Sequence, residues 1–111
     1  MKPEVKKHLY DVDLSISSIL EYIGEETDLT AYLRNKLLRR AVEREIEIIG
    51  EAINRALKQD PNLQIKNARR IVDTRNWVIH GYDKVDDVIV WGIVVNHLPK
   101  LQQEIRSFLE E

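Results

Sequence analysis

Val5, Leu9, Val12, Ile16 and Ile19 fall at steps of four, three, four and three, and Leu20 and Ile23 carry the pattern one turn further. Only an α-helix, with about 3.6 residues per turn, brings positions spaced this way onto one side; a strand would scatter them over both faces. The same spacing returns at Tyr32, Leu33, Leu37, Ala41, Ile48, Ile49, Ala52, Ile53, Ala56 and Leu57 and stops at Asp60-Pro61. Proline has no amide proton and constrains the residue before it, so it closes this second, long helix. Gly24 and the polar run Glu25-Glu26-Thr27-Asp28 separate the two, with Asp28 or Thr30 able to cap the second. Gly50 inside the long helix costs roughly 1 kcal/mol against alanine and marks a place where another backbone could come close.

Beyond a Pro-Asn linker the sequence predicts a third helix from about residue 65 to residue 80, with Ile71, Val72, Val78 and Ile79 inward and Gly81 as its C-terminal cap. A turn over residues 83–86 leads to a fourth helix at about 87–96, carrying Val88, Ile89, Trp91, Val94 and Val95. Pro99 suits the first turn of a last helix with Leu101, Ile105, Phe108 and Leu109 inward. Residues 85–95 are rich in β-branched side chains and could form a strand, but a lone strand has no partner to pair with. The expectation is all-α: one domain over residues 1–111, an up-down antiparallel bundle of four to five helices.

The bulk numbers bound the function. A chain of 111 residues with 43% apolar and 32% charged side chains is globular, not disordered. Without cysteine it has neither disulfides nor thiolate metal sites. No apolar run approaches the roughly 20 residues of a membrane span and the first residues form no signal core, so a soluble cytoplasmic protein is expected. A net charge of −2 argues against a broad, non-specific nucleic-acid binder. Local basic clusters remain: Arg34, Lys36, Arg39, Arg40 and Arg44 in one segment, Lys66, Arg69, Arg70 and Arg75 in another. Each is also explained by a solvated helix face.

The most reactive stretch is Arg75-Asn76-Trp77-Val78-Ile79-His80-Gly81-Tyr82. Arginine keeps its charge and matches a phosphate bidentately, while histidine can take and give a proton near pH 7. On a helix, Asn76 and His80 share a face, Arg75 is turned partly away, and Tyr82 falls past the cap. Three readings compete on chemistry alone. The residues could be structural, with Arg75 paired to an acid and His80 favoured by the helix dipole. They could be catalytic, His80 serving as base or acid on a ribose phosphate and Arg75 neutralising the transition state, with Asn76 orienting either. Or Tyr82 could be a phenol presented for modification.

Arg75, His80 and Tyr82, with Asn76 after the arginine, match the Arg-x4-His-x-Tyr signature of HepT-like members of the HEPN superfamily, which this sequence resembles. Ala41-Val42-Glu43-Arg44, Ile48-Ile49-Gly50-Glu51-Ala52, Val85, Trp91 and Leu98-Pro99-x-Leu101 are similar to further blocks of that family, so the resemblance covers residues 41–105. The chain departs from it at Leu63-Gln64-Ile65-Lys66, where relatives carry an Ile-Pro-Trp-like run. The resemblance implies a toxin acting as a metal-independent RNase, with transfer RNA a candidate substrate and Arg75 and His80 catalytic. It implies a homodimer with two motifs facing one cleft. It also implies a cognate minimal nucleotidyltransferase antitoxin that uses ATP to add AMP to Tyr82. The alternative is a non-catalytic helical module that binds such a nucleotidyltransferase or a nucleotide. No cofactor, metal, membrane or DNA partner is expected.

Other residues weigh less. Glu43, Glu47 and Glu51 form a stripe on the long helix, better explained by ion pairs with Arg40, Arg44 and Arg55 than by a metal. Glu51, inside a family-like block, is retained as a supporting residue that could position Arg75 or His80. His8 and His97 have no partner at metal-ligand spacing, and Trp77 and Trp91 suit core or dimer interface.

Overall fold

Helix α1 (Pro3–Ile23) is the axis on which the rest is hung. The computed structural model describes residues 1–69, 71–73 and 86–110. Within them lie α1, α2 (Leu29–Arg34), α3 (Lys36–Gln59), α4 (Asp87–Asn96) and α5 (Leu98–Leu109), plus helical residues at 68–69 and 71–73. The fold is all-α, as the periodicity predicts.

The apolar stripe of α1 performs as its spacing implies: Val5, Leu9, Val12, Ile16 and Ile19 have no exposed surface. They pack into one core with Val42, Ile46, Ile49, Ile53 and Ala56 of α3 and with Leu98, Leu101 and Ile105 of α5. Direction follows from the cross-links. The Tyr22 hydroxyl at the end of α1 donates to Glu45 in the first half of α3, 3.1 Å away. At the other end, Met1 and Asp60 line one hollow with Phe108. Both α3 and α5 therefore run antiparallel to α1. A polar clamp fixes α5 on α1: the Gln102 amide donates to Asp13 at 3.0 Å and to Ser17 at 2.9 Å, and Arg106 Nε donates to Asp13 at 2.9 Å. Gln102 is almost fully enclosed, so these bonds replace the water its amide gives up.

Turn chemistry sets the boundaries. Gly24 ends α1 at φ 66° and ψ −178°, a region open almost only to glycine, and its amide donates to the Leu20 carbonyl. Asp28 caps α2 by accepting from the Ala31 amide at 2.8 Å. Asp86 caps α4 through the amides of Val88 and Ile89. Pro99 sits in the first turn of α5, where its missing amide proton costs nothing.

Three expectations are corrected. The long second helix is two helices, because Asn35 leaves helical geometry at φ −107° and ψ 91° and caps α3 by accepting from Leu38 at 3.0 Å. The break turns Leu33 and Leu37 outward; Leu37 is 82% exposed. The third helix begins at Ala68, not near residue 65. Finally Leu20, Val88, Ile89 and Val95 are exposed although their sequence positions suggested core. In α4, Val94 faces inward as its position suggested, joined by Val90 and Ile93, and the outward side stays apolar because the helix is apolar all round. The predicted cap at Gly81, the inward positions Val78 and Ile79, and Trp77 lie outside the described residues.

Candidate functional site

Where α3 ends, the chain turns back through residues 60–67 and starts the next helical stretch at Ala68. The turn encloses an open groove of about 530 Å³. Its floor is apolar: Leu57 from α3, Leu63 and Ile65 from the turn, and Val72 from the helical stretch, all half-buried. Its rim is polar. Asn54 and Gln64 supply amides, Lys66 and Arg69 positive charges and Asp73 one carboxylate. Among the described residues neither cation enters an ion pair.

The rim is held from below by α5. Glu104 accepts the Lys66 amide at 2.7 Å and both the Asn67 amide and its side-chain nitrogen at 3.2 and 3.1 Å. A carboxylate here satisfies backbone donors just before a helix starts, the role usually taken by a local cap. Fixing the backbone at Lys66 leaves its side chain exposed at the groove mouth. Ala68 and Ile71 then anchor the stretch in the core. Arg75 follows two residues beyond Asp73 in the sequence.

The carboxylate stripe of α3 is engaged in ion pairs. Arg40 reaches Glu43 at 2.9 Å, Arg44 reaches Glu47 at 3.1 Å, and Arg55 pairs with Glu51. No group of three or more metal-capable side chains occurs among the described residues. Glu51, the proposed supporting residue, is partly exposed, pairs with Arg55 and lies three residues before the groove-lining Asn54 on α3. Arg75, Asn76, His80 and Tyr82 lie outside the described residues, as does Arg70 of the basic cluster.

A second polar feature is buried. Tyr32 has no exposed surface, stacks on Trp91 with ring centres 5.0 Å apart and 35° between planes, and its hydroxyl has no hydrogen-bond partner among the described residues. Burial pushes the phenol well above its ordinary range, and the charges of Asp87 and Glu43 push it further against the opposing pull of Arg39. Arg39 in turn lies 3.5 Å from Asp87, tying the start of α4 to α3. Trp91 is thus a core-packing residue, half-buried against Tyr32.

Comparison with known proteins decides the family. The family model described as "Ribonuclease HepT-like" matches residues 12–108. The chain belongs to the ribonuclease HepT-like family. A HepT-like relative from Methanocaldococcus jannaschii, provisionally named an RNase, is 35% identical over 106 residues, 94% of this chain and 95% of that protein. A second from the same organism, named in the same way, is 28% identical over 99% of this chain and 91% of its own length. A third is named as a gamma-glutamylcyclotransferase joined to a provisional RNase; it is 34% identical over the whole of this chain and half of its own length. No solved structure matches.

Sequence reading singled out Lys66 and Arg69 of this HepT-like chain as part of a basic cluster but missed the groove, Glu104 and Tyr32. Glu104 lies 37 and 38 positions from its partners, beyond the reach of any local pattern. Tyr32 gave a signal, an aromatic in an apolar stripe, but not its orphaned hydroxyl.

The Tyr32 site predicts a pH effect. Above about pH 10 an unfolded tyrosine loses its proton while the buried one keeps it. The unfolded state then binds fewer protons, so stability falls as pH rises. Tyr32→Phe removes that loss and the unpartnered hydroxyl. In urea titrations it should equal or exceed wild type at pH 7, by up to about 2 kcal/mol, and its advantage should grow between pH 9 and 11. A destabilised Tyr32→Phe with a pH-independent gap would contradict this.

Proposed function

We propose that this chain is a metal-independent endoribonuclease in which Arg75 and His80 form the catalytic pair and Tyr82 is the off-switch. The reading is carried by family membership across residues 12–108 together with the intact Arg75-x4-His80-x-Tyr82 spacing. It draws support from relatives named as RNases.

In this reaction His80 takes the proton of a ribose 2′-hydroxyl. The 2′-oxygen bonds to the adjacent phosphorus, the bond from phosphorus to the 5′-oxygen breaks, and that oxygen leaves as a hydroxyl after receiving a proton. The products are a 2′,3′-cyclic phosphate and a 5′-hydroxyl end. Arg75 balances the extra negative charge on the five-coordinate phosphorus, and a bidentate guanidinium suits two of its oxygens. Asn76 orients the imidazole or the phosphate, and Glu51 supports the site from α3. The protein acts as the toxin of a pair, with transfer RNA as the candidate substrate. Its antitoxin is a nucleotidyltransferase: the Tyr82 oxygen attacks the α-phosphorus of ATP, releasing pyrophosphate and leaving AMP on the ring. The added phosphate would occupy the cationic site and repel an RNA backbone.

The active form is a homodimer, which would bring two such motifs to one cleft. The outward side of α4 supports this: Val88, Ile89 and Val95 are about half exposed around Gly92, which has open space above it. An uncharged, apolar side with a glycine in its middle can meet its own copy without opposing like charges.

Three measurements test these points. Arg75→Ala and His80→Ala should each slow RNA cleavage by the purified chain about 100-fold or more. Equal rates for wild type and His80→Ala would instead assign the chain to the alternative, a helical module that binds a nucleotidyltransferase or a nucleotide. Intact mass after co-production with a nucleotidyltransferase should rise in multiples of AMP and stay unshifted in Tyr82→Phe; a shift that survives in that variant puts the modification elsewhere. Light scattering should show a dimer that Ile89→Glu with Val95→Glu converts to monomer, whereas a persistent dimer moves the interface off α4.

A further inference from the structure

We propose that the groove between the end of α3 and the helical stretch at Ala68 is a binding subsite for one nucleotide of single-stranded RNA, flanking the phosphate to be cut. This rests on the ribonuclease reading and adds to it a place for the substrate that the Arg-x4-His motif does not provide. Three observations carry it. The first is shape and lining: about 530 Å³ lies within the usual range of small-molecule clefts, and a floor of Leu57, Leu63 and Val72 suits the face of a base. The second is charge. Lys66 and Arg69 stand exposed at the mouth without ion-pair partners among the described residues, in a chain whose net charge is −2. The exposed arginines Arg40, Arg44 and Arg55 of α3 are engaged by carboxylates, whereas these two cations stand at the mouth of an apolar-floored groove. The third is preorganisation: Glu104 pins the backbone of Lys66 and Asn67 from α5, so the cationic rim is held before any ligand arrives.

The occupant follows from this combination. A phosphate alone would not need the apolar floor, and an apolar peptide would not need two cations that lack ion-pair partners among the described residues. A nucleotide uses both, stacking its base below and placing its phosphate on Lys66 and Arg69, while the Gln64 amide and the Asp73 carboxylate can read base or ribose edges. Such pockets serve single strands, whose bases are free to turn out of a stack. The groove ends two residues before Arg75 in the sequence, close enough along the chain for neighbouring nucleotides of one strand to serve both.

The test is anisotropy of a labelled single-stranded oligoribonucleotide with 2′-O-methyl groups throughout, which removes the attacking hydroxyl and isolates binding from cleavage. With the full chain, Lys66→Ala with Arg69→Ala should weaken binding about tenfold or more. The slope of log affinity against log salt should fall by roughly 0.7, the contribution of the one phosphate of a single strand that the two cations share. Lys36→Ala with Lys100→Ala, exposed cations elsewhere, should bind as wild type does. A 4-thiouridine in the oligonucleotide should cross-link within residues 54–73. Wild-type binding that survives unchanged in the Lys66/Arg69 variant, or cross-links confined to other segments, overturns the subsite while leaving the ribonuclease reading intact. Failure of wild type both to bind and to cut RNA overturns both.

Discussion

The dry seam between α1 and α3 is the constraint on which everything else depends. Five α1 side chains and an equal set from α3 are sealed from water along its length. Each fully buried aliphatic side chain contributes roughly 1.5–3 kcal/mol, so the seam outweighs any polar contact in the molecule. It also sets position. With α1 and α3 locked antiparallel, α5 can meet α1 in only one register, fixed by the Gln102–Asp13–Ser17 clamp. That register delivers Glu104 to the turn after α3, where it accepts from the Lys66 and Asn67 amides.

Much of this was legible in the sequence, for physical reasons. The four-three spacing of Val5 to Ile19 can serve only a helix, and Gly24, Asp28, Asp86 and Pro99 are each the residue type their local backbone requires. The break at Asn35 was readable as well, since asparagine is a favoured cap, but the apolar spacing ran across it and masked the signal. In α4 the amphipathic criterion fails: a helix apolar all round offers no phase from which to tell inside from outside, so Val88 and Ile89 were misplaced. Long-range pairings were out of reach. Glu104 with Lys66, and Tyr32 with Trp91, depend on how helices dock, which periodicity does not encode.

The site divides the same way. Family and motif were legible because Arg75, His80 and Tyr82 stand at a spacing that chemistry and kinship both recognise, and the match over residues 12–108 bears out the kinship. Their arrangement in space lies outside the described residues. The surroundings are what the fold adds: an apolar-floored groove rimmed by Lys66 and Arg69, Glu51 three residues before the groove-lining Asn54 on α3, and an apolar outward side on α4.

Cleavage by the substrate's own 2′-hydroxyl leaves its signature in the chemistry of the cut ends. Wild-type protein in excess EDTA, given an RNA with one dominant cut, should leave a 2′,3′-cyclic phosphate, and a single 2′-deoxy substitution at that nucleotide should abolish the cut. Cleavage that requires a divalent metal, leaves a linear 3′-hydroxyl, or persists at the deoxy position would contradict the account.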